Sequence, residues 1–485
     1  MRSRMTLVAA LAAVVAFTAA GCGGGSQVGA SSGVLGGAAA IAPSDSAAFV
    51  AVDTDLGSGQ WQAVNGLLAK FPAHDSLVTQ LRQSFEKSSK LSWANDVKPA
   101  LGSELDVVVL PTAANGKAEA VVLVQSGNAA KLDALVAKLS AAGGTKVLSQ
   151  SIGDWTALSE SKAALDAVAG ATSHLADNGV YQEAAAKLAG DALVRAYANG
   201  AEAKQLLGAL GKSAPAGDKS TLVWGSADVV ATGGGLKVDG YVRTQGTTST
   251  EAPYSSTLVG KIPAGALLVA DFQAHKDTAA QASPGIGSLP SRLQSLLAPL
   301  AKVGSSLGGE TALYVSPGVP IPSVTLVTHA ADPQATVDAL NQALAGLGAA
   351  ASAGSGSGSS GSGSGGLDLG SILSSIHLAH EVVGGDLVVS TSSQAIADFK
   401  GSGQKLTGDG TFTEAQSASS MPGETTGFLY ANLKDAVPMV QGLAGLAGLK
   451  LPAPLTGDLS ALRTLTAYGT GGGDTSSFTV FLEVS

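Results

Sequence analysis

Apolar positions along the chain recur in two rhythms. Short continuous or alternating apolar runs mark strands, and i, i+3, i+4, i+7 spacing marks helices. AAFVAVD at residues 47–53 predicts a strand ending in Asp53, where Asp53 and Asp55 form a turn that caps the next helix. That helix carries Trp61, Val64, Leu68 and Phe71 on one face. LDVVVLP at 105–111 and AVVLV at 120–124 predict two more strands. Leu132, Leu135, Val136 and Leu139 predict a helix that Asn128 caps. A hairpin around Gly153, a strand LVRAYAN at 193–199 and two terminal strands follow.

The same pattern then runs a second time. ALLVAD at 266–271 parallels AAFVAVD, and Leu307-Gly308-Gly309-Glu310 parallels Leu101-Gly102-Ser103-Glu104. Val337, Leu340, Leu344 and Leu347 repeat the helix stripe behind Asp332 and Pro333. Gly385-Asp386-Leu387 parallels Gly153-Asp154-Trp155, and Phe412-Thr413-Glu414-Ala415 parallels Tyr181-Gln182-Glu183-Ala184. Tyr430-Ala431-Asn432 parallels Tyr197-Ala198-Asn199, and Tyr468-Gly469 parallels Trp224-Gly225, each ahead of three consecutive glycines. The shared order predicts an α+β fold: a tandem duplication of a unit with mostly antiparallel sheet and packed helices. The expected boundaries are 43–245 for the first unit, 246–260 for a connector and 261–485 for the second unit. The second unit carries a Gly/Ser insert at 352–366, a flexible loop with a reach of about 20 Å.

The N-terminus has its own pattern. Arg2 and Arg4 precede the apolar run MTLVAALAAVVAFTAA at 5–20, which is short for a membrane span. Ala19-Ala20-Gly21-Cys22 resembles a bacterial lipoprotein box, with Ala19 where Leu is usual. Residues 1–21 are expected to be a signal peptide, and Cys22 the lipidated first residue of the mature chain. Two or three acyl chains on one Cys hold a protein stably on a membrane. The Gly/Ser/Ala stretch 22–42 reads as a flexible tether, and the expected location is the extracytoplasmic face of the cell membrane.

Composition narrows the function. The net charge of −9 argues against a nucleic-acid partner, which needs a basic face. A single Cys leaves no internal disulfide and no Cys-based zinc site. With 64 Gly and 18 Pro the chain stays under the roughly 25–30 % Gly plus Pro of disordered chains. Catalytic patterns fail on context. Gly304-Ser305-Ser306-Leu307-Gly308 spells G-x-S-x-G but leads into a strand, not a helix. Gly29-Ala30-Ser31-Ser32-Gly33 spells it inside the tether. Gly211-Lys212-Ser213 lacks the first glycine of a phosphate loop, and the G-x-G-x-x-G at 356–361 lies in the insert. Asp53-Thr54-Asp55 lacks the downstream Glu of a calcium loop. His377 and His380 face opposite sides of a strand and cannot share an ion. No catalytic, cofactor-binding or metal-binding residue is therefore assigned, and no cofactor is expected. Glu104 and Glu310 recur in both halves, where a turn or strand-end role is the economical reading.

The opening APSDSAAFVAVDTDLGSGQWQAVNGLLAKFP, with LGSELDVVVLP, GDWTALSES and LVRAYAN, resembles the DUF3352 family. These are actinobacterial, often lipid-anchored proteins of unknown function, and the resemblance spans roughly residues 43–485. It implies no activity, ligand or site. The expected function is a lipid-anchored, non-catalytic interaction or structural module of the cell envelope. A carrier of an apolar or lipid-like ligand is the alternative, and an envelope hydrolase the more remote one.

Overall fold

The computed structural model describes residues 35–112, 118–143, 146–202, 221–246, 252–274, 306–318, 321–330, 332–354, 378–446 and 459–485. The chain divides into two compact units. The first comprises Met1–Thr250 with Gly473–Thr479 and Val484–Ser485, and the second Glu251–Gly472 with Val480–Glu483. The fold is α+β.

In the first unit the strands are β1 (Ala48–Asp53), β2 (Glu104–Val109), β3 (Ala120–Val124), β4 (Leu148–Ile152), β5 (Trp155–Ser159), β6 (Val194–Asn199), β7 (Thr221–Thr232) and β8 (Gly235–Gln245). Their order in the sheet is β4-β5-β3-β2-β1-β6-β7-β8, and the pairings are antiparallel. The helices among the described residues are α1 (Gly59–Leu68), α2 (His74–Ser89), α3 (Ala129–Gly143), α4 (Lys162–Ala169) and α5 (Gly179–Ala185). One sheet face carries Phe49, Val108, Leu123 and Tyr197 under Leu165 of α4 and Ala184 of α5. The other carries Leu105, Val122 and Val124 under Leu132, Leu135 and Val136 of α3. Burial on both faces is why β3 reads as a continuous apolar run instead of alternating.

The second unit holds β9 (Leu268–Ala274), β10 (Gly309–Ser316), β11 (Ser323–Thr328), β12 (Ala379–Val383), β13 (Asp386–Ser390), β14 (Gly427–Asn432), β15 (Leu462–Gly472) and, in part, β16 (Thr475–Val484). The helices are α6 (Pro333–Gly354), α7 (Ser393–Lys400), α8 (Gly410–Ser419) and α9 (Leu433–Leu446). The strand order is β12-β13-β11-β10-β9-β14-β15-β16. Counted from its own first strand, each unit reads 4-5-3-2-1-6-7-8. Tyr197 and Tyr430 occupy level positions, opposite Phe49 on β1 and Val269 on β9. Each packs edge-on against an aromatic ring of the helix before it, Tyr181 at 5.1 Å and Phe412 at 5.0 Å.

Several alignments read from the sequence shift once the register is known. Asp271 lies level with Ala51, not with Asp53, because Ala51 pairs with Arg195 and Asp271 with Phe428 two residues before Tyr197 and Tyr430. Tyr468 lies level with Asp228, not with Trp224. The turn glycine level with Gly153 is Gly384, one residue before the textual match, and both have positive φ, +57° and +61°. Similar glycine-rich strings slide along one another in text, whereas the ladder fixes one register.

Other expectations are corrected locally. Ser58, not the turn of Asp53 and Asp55, caps α1, its side chain accepting from the Trp61 N–H. The buried face of α1 is Gln60, Trp61, Val64 and Leu67, with Leu68 and Phe71 only half-buried. The expected tether, 22–42, reaches too far: residues 35–42 pack into the first unit, with Ala38 and Ala42 fully buried. The expected connector, 246–260, likewise ends in packed structure, with Leu258 and Val259 buried in the second core. α6 runs to Gly354, so the expected insert begins as helix, and its remainder lies outside the described residues.

Candidate functional site

The Leu-Gly-x-Glu motif common to both halves has a physical reason at each position. A Cβ on Gly102 would sit 1.5 Å from the Gln125 carbonyl oxygen, and one on Gly308 would sit 2.9 Å from that of His329. Both glycines let the chain cross close to a neighbouring strand end. The Glu that follows is the first residue of β2 or the second of β10, and it bonds to the segment leading into its unit.

In the first unit that leading segment is a strap whose turn Gly37–Ala40 is a 3₁₀ helix. Glu104 Oε1 accepts from the backbone N–H groups of Gly36 and Gly37, at 2.6 and 2.8 Å. Asp106 Oδ2 accepts from the Ala38 N–H at 3.1 Å. Gly36 has φ +110°, a conformation open to glycine that lets consecutive N–H groups converge on one carboxylate. Arg195 completes the grip, donating from Nη1 to the Leu35 carbonyl at 2.6 Å and from Nη2 to the Ala185 carbonyl at 2.9 Å. The negative charge sits at the amino end of the turn, where orphan donors and the helix dipole favour it.

The second unit reaches the same result with different donors. Glu310 Oε1 accepts from the Leu258 N–H at 2.9 Å and from Ser256 Oγ at 2.7 Å, while Oε2 accepts from Thr257 Oγ1. Asp271 accepts from Tyr254 Oη and, at 2.9 Å, from Ser256 Oγ. Hydroxyls here replace the glycine amides of the first strap.

Burial governs the titration of these groups. Asp106 is fully buried, and burial first, then the charge of Glu104 beside it, pushes its carboxyl well above the usual range. Burial raises Asp271 to about 6, against the lowering pull of the Tyr254 and Ser256 hydroxyls. Burial also raises Asp53 to about 6, although Ser58 and the Asp55 N–H stabilise its charge. The Asp53 and Asp55 carboxylates accept from the N–H groups of Asp55 and Gly57, so they are turn formers as their spacing predicts. The Glu104, Glu310 and Asp271 carboxylates accept from the chain's own donors, whereas Asp106 Oδ1 is buried without a hydrogen-bond partner among the described residues.

The polar row beneath the first strap differs from its counterpart. Asp106, Ala51, Arg195 and Asp228 lie level across β2, β1, β6 and β7. The level residues of the second unit are Ala312, Asp271, Phe428 and Tyr468. Glu104 and Glu310 were legible as a recurring pair. Asp106, Arg195 and Asp271 were missed, and the signal that could have found them is a charge in the middle of an otherwise apolar strand.

Cys22, His377, Gly304, Ser305 and the segments around Lys212 and 356–361 lie outside the described residues. His380 is exposed on β12, and the Ser306 carbonyl accepts from Thr336 Oγ1. Among the described residues no group of three or more His, Cys, Asp or Glu is placed to hold a metal ion. A cleft of about 570 Å³ in the first unit is walled by Pro43, Leu110, Pro111, Ala163 and Ala167, with Asp45 and Glu119 at its lining. Among the described residues no helix is long and apolar enough to cross a membrane. No family model matches the chain, and no curated protein matches it either.

Proposed function

We propose that this chain is a lipid-anchored protein of the extracytoplasmic face of the membrane, acylated at Cys22, that serves as a non-catalytic interaction or structural module. In this reading it groups with the DUF3352 proteins it resembles, and its two units descend from a tandem duplication. The observation that carries the reading is the use made of the shared carboxylates: Glu104 and Glu310 each grip the segment leading into their own unit. The first of these segments follows the lipobox by a dozen or so residues of Gly/Ser-rich chain. A load on the anchor then enters the sheet through a charge-assisted clamp instead of a loose end. The common strand order supports the duplication.

The decisive experiment is fractionation of Cys22→Ala against the parent. Release of the variant to the soluble fraction, or arrest as unprocessed precursor, is the expected result. Normal processing with unchanged detergent-dependent extraction would overturn the anchor. Crosslinking in native membranes then identifies the envelope partner. The cleft lined by Pro43, Leu110 and Pro111 supports a second reading, carriage of a small apolar ligand. Saturable binding of an apolar fluorescent probe that Ala167→Trp abolishes would favour it.

A further inference from the structure

Strand β4 closes one edge of the first unit's sheet, and among the described residues nothing pairs with its outer side. Sheet edges are normally guarded by Lys, Pro, a bulge or an inward-pointing charge. β4 reads Leu148-Ser149-Gln150-Ser151-Ile152 and carries none of these, and its ladder to β5 is regular from Leu148–Ser159 to Ile152–Trp155. The level edge strand of the second unit, β12, is guarded: Glu381 stands at its centre with Lys400 Nζ 2.6 Å away.

We propose that β4 pairs antiparallel with β4 of a second copy of this chain, about a two-fold axis through Gln150. The backbone is set for it. Gly153 and Asp154 form a two-residue turn, with Gly153 at φ +57°. In such a hairpin the closing pair exchanges ladder hydrogen bonds, and every second pair beyond it does the same. Ile152, Gln150 and Leu148 therefore spend their backbone groups on β5, and Ser149 and Ser151 turn theirs outward. With the axis at Gln150, Ser149 falls opposite Ser151 of the second copy, and both pairs so formed are hydrogen-bonded pairs.

The side chains obey the same symmetry. Leu148 comes opposite Ile152 of the second copy, on the half-buried face of the strand. Gln150 meets its own counterpart between them. Its amide makes no hydrogen bond among the described residues, and two facing amides satisfy one another's donors and acceptors. One turn further out, Lys146 comes opposite Asp154 of the second copy on both sides of the axis. Both are exposed, and among the described residues neither belongs to an ion pair. On β12 the same operation would set Glu381 against its own copy, a like-charge pair that disfavours it. The strand is short, so the contact lies below the area of a permanent dimer, and association is weak and concentration-dependent.

Sedimentation velocity of the full chain carrying Cys22→Ala, over a concentration series, tests the pairing. The mass should climb from one chain towards two, and Gln150→Lys should hold it at one. Lys146→Asp should weaken association, and adding Asp154→Lys should restore it, which a misfolded variant could not do. In the same background Gln150→Cys should form a disulfide dimer under mild oxidation and Ser149→Cys should not, because Ser149 faces Ser151. A single-chain mass at every concentration, a dimer indifferent to Gln150→Lys, or equal crosslinking from both cysteines would overturn the proposal.

Discussion

Asp271 and Asp53 hold their protons in the fold up to about pH 6, whereas the ordinary aspartate value is 3.8. Between those values the folded chain binds more protons than the unfolded one, so stability falls as pH rises through the window. Each group contributes at most about 1.4 kcal/mol per pH unit there, and the loss is complete above about pH 6. Asp106, also raised by burial, acts in the same direction. The expected outcome is a melting temperature higher near pH 5 than near pH 7.5. Asp271→Asn should reduce that difference, and calorimetry at the two pH values measures it; an unchanged difference would remove Asp271 from the account. The cause was only half legible in the sequence. Glu104 and Glu310 announce themselves by recurrence, but Asp106 and Asp271 stand at different strand positions in the two units, and aligned as text Asp271 falls against Asp53 instead of the Ala51 it lies level with.

The straps show what an element-scale reading of sequence loses. GVLGGAAA at 33–40 has no helical or strand period and a linker's composition, yet Gly36 and Gly37 serve a clamp. Gly36 supplies a positive φ, and a Cβ on Gly37 would come 3.3 Å from the ring of Trp155. Small residues let the backbone lie against the sheet, and composition alone cannot separate that from flexibility. The strands and helices, by contrast, were legible because their apolar faces are paid in burial: the α3 stripe Leu132, Leu135 and Val136 is the one that packs. Glu104→Ala should leave the Gly36 and Gly37 donors without their acceptor, at about 1–3 kcal/mol. Hydrogen exchange should then show the amides of Gly36, Gly37 and Ala38 opening faster while those of β3 keep their protection. Uniform loss of protection would mean that Glu104 supports the whole sheet instead of the strap. A cap is worth less: Asn178→Ala, which removes the acceptor for the Val180 and Tyr181 N–H groups, should cost about 1 kcal/mol in chemical denaturation.

At the scale of the whole molecule, one strand order carries two different polar interiors. The first unit buries Asp106, Arg195 and Asp228 in one row, and the second replaces the latter two positions with Phe428 and Tyr468 and moves its carboxylate to Asp271. A reaction centre built into the fold itself would need the same groups in the same places in both units, or a water-excluding cluster with free valences in one of them. What the units share instead is a Glu that accepts from the leading segment, an aromatic pair at the sheet and a cap at the helix before it, Asn178 or Asp409. The caps are occupied by the chain: Asp409 caps α8 through Thr411 and Phe412 and also accepts from the Gly265 N–H at 2.7 Å. In the first unit Asp106 Oδ1 and Asp228 Oδ1 are buried without a hydrogen-bond partner among the described residues, but the Arg195 cation shares their row, and among the described residues no three His, Cys, Asp or Glu converge as metal ligands. Purified chain is therefore expected to hold no stoichiometric metal by elemental analysis and to turn over no ester, peptide, glycoside or phosphoester reporter. About one ion per chain, or a turnover lost on a single Ser, His or Asp substitution, would replace the structural reading with a hydrolase confined to one unit.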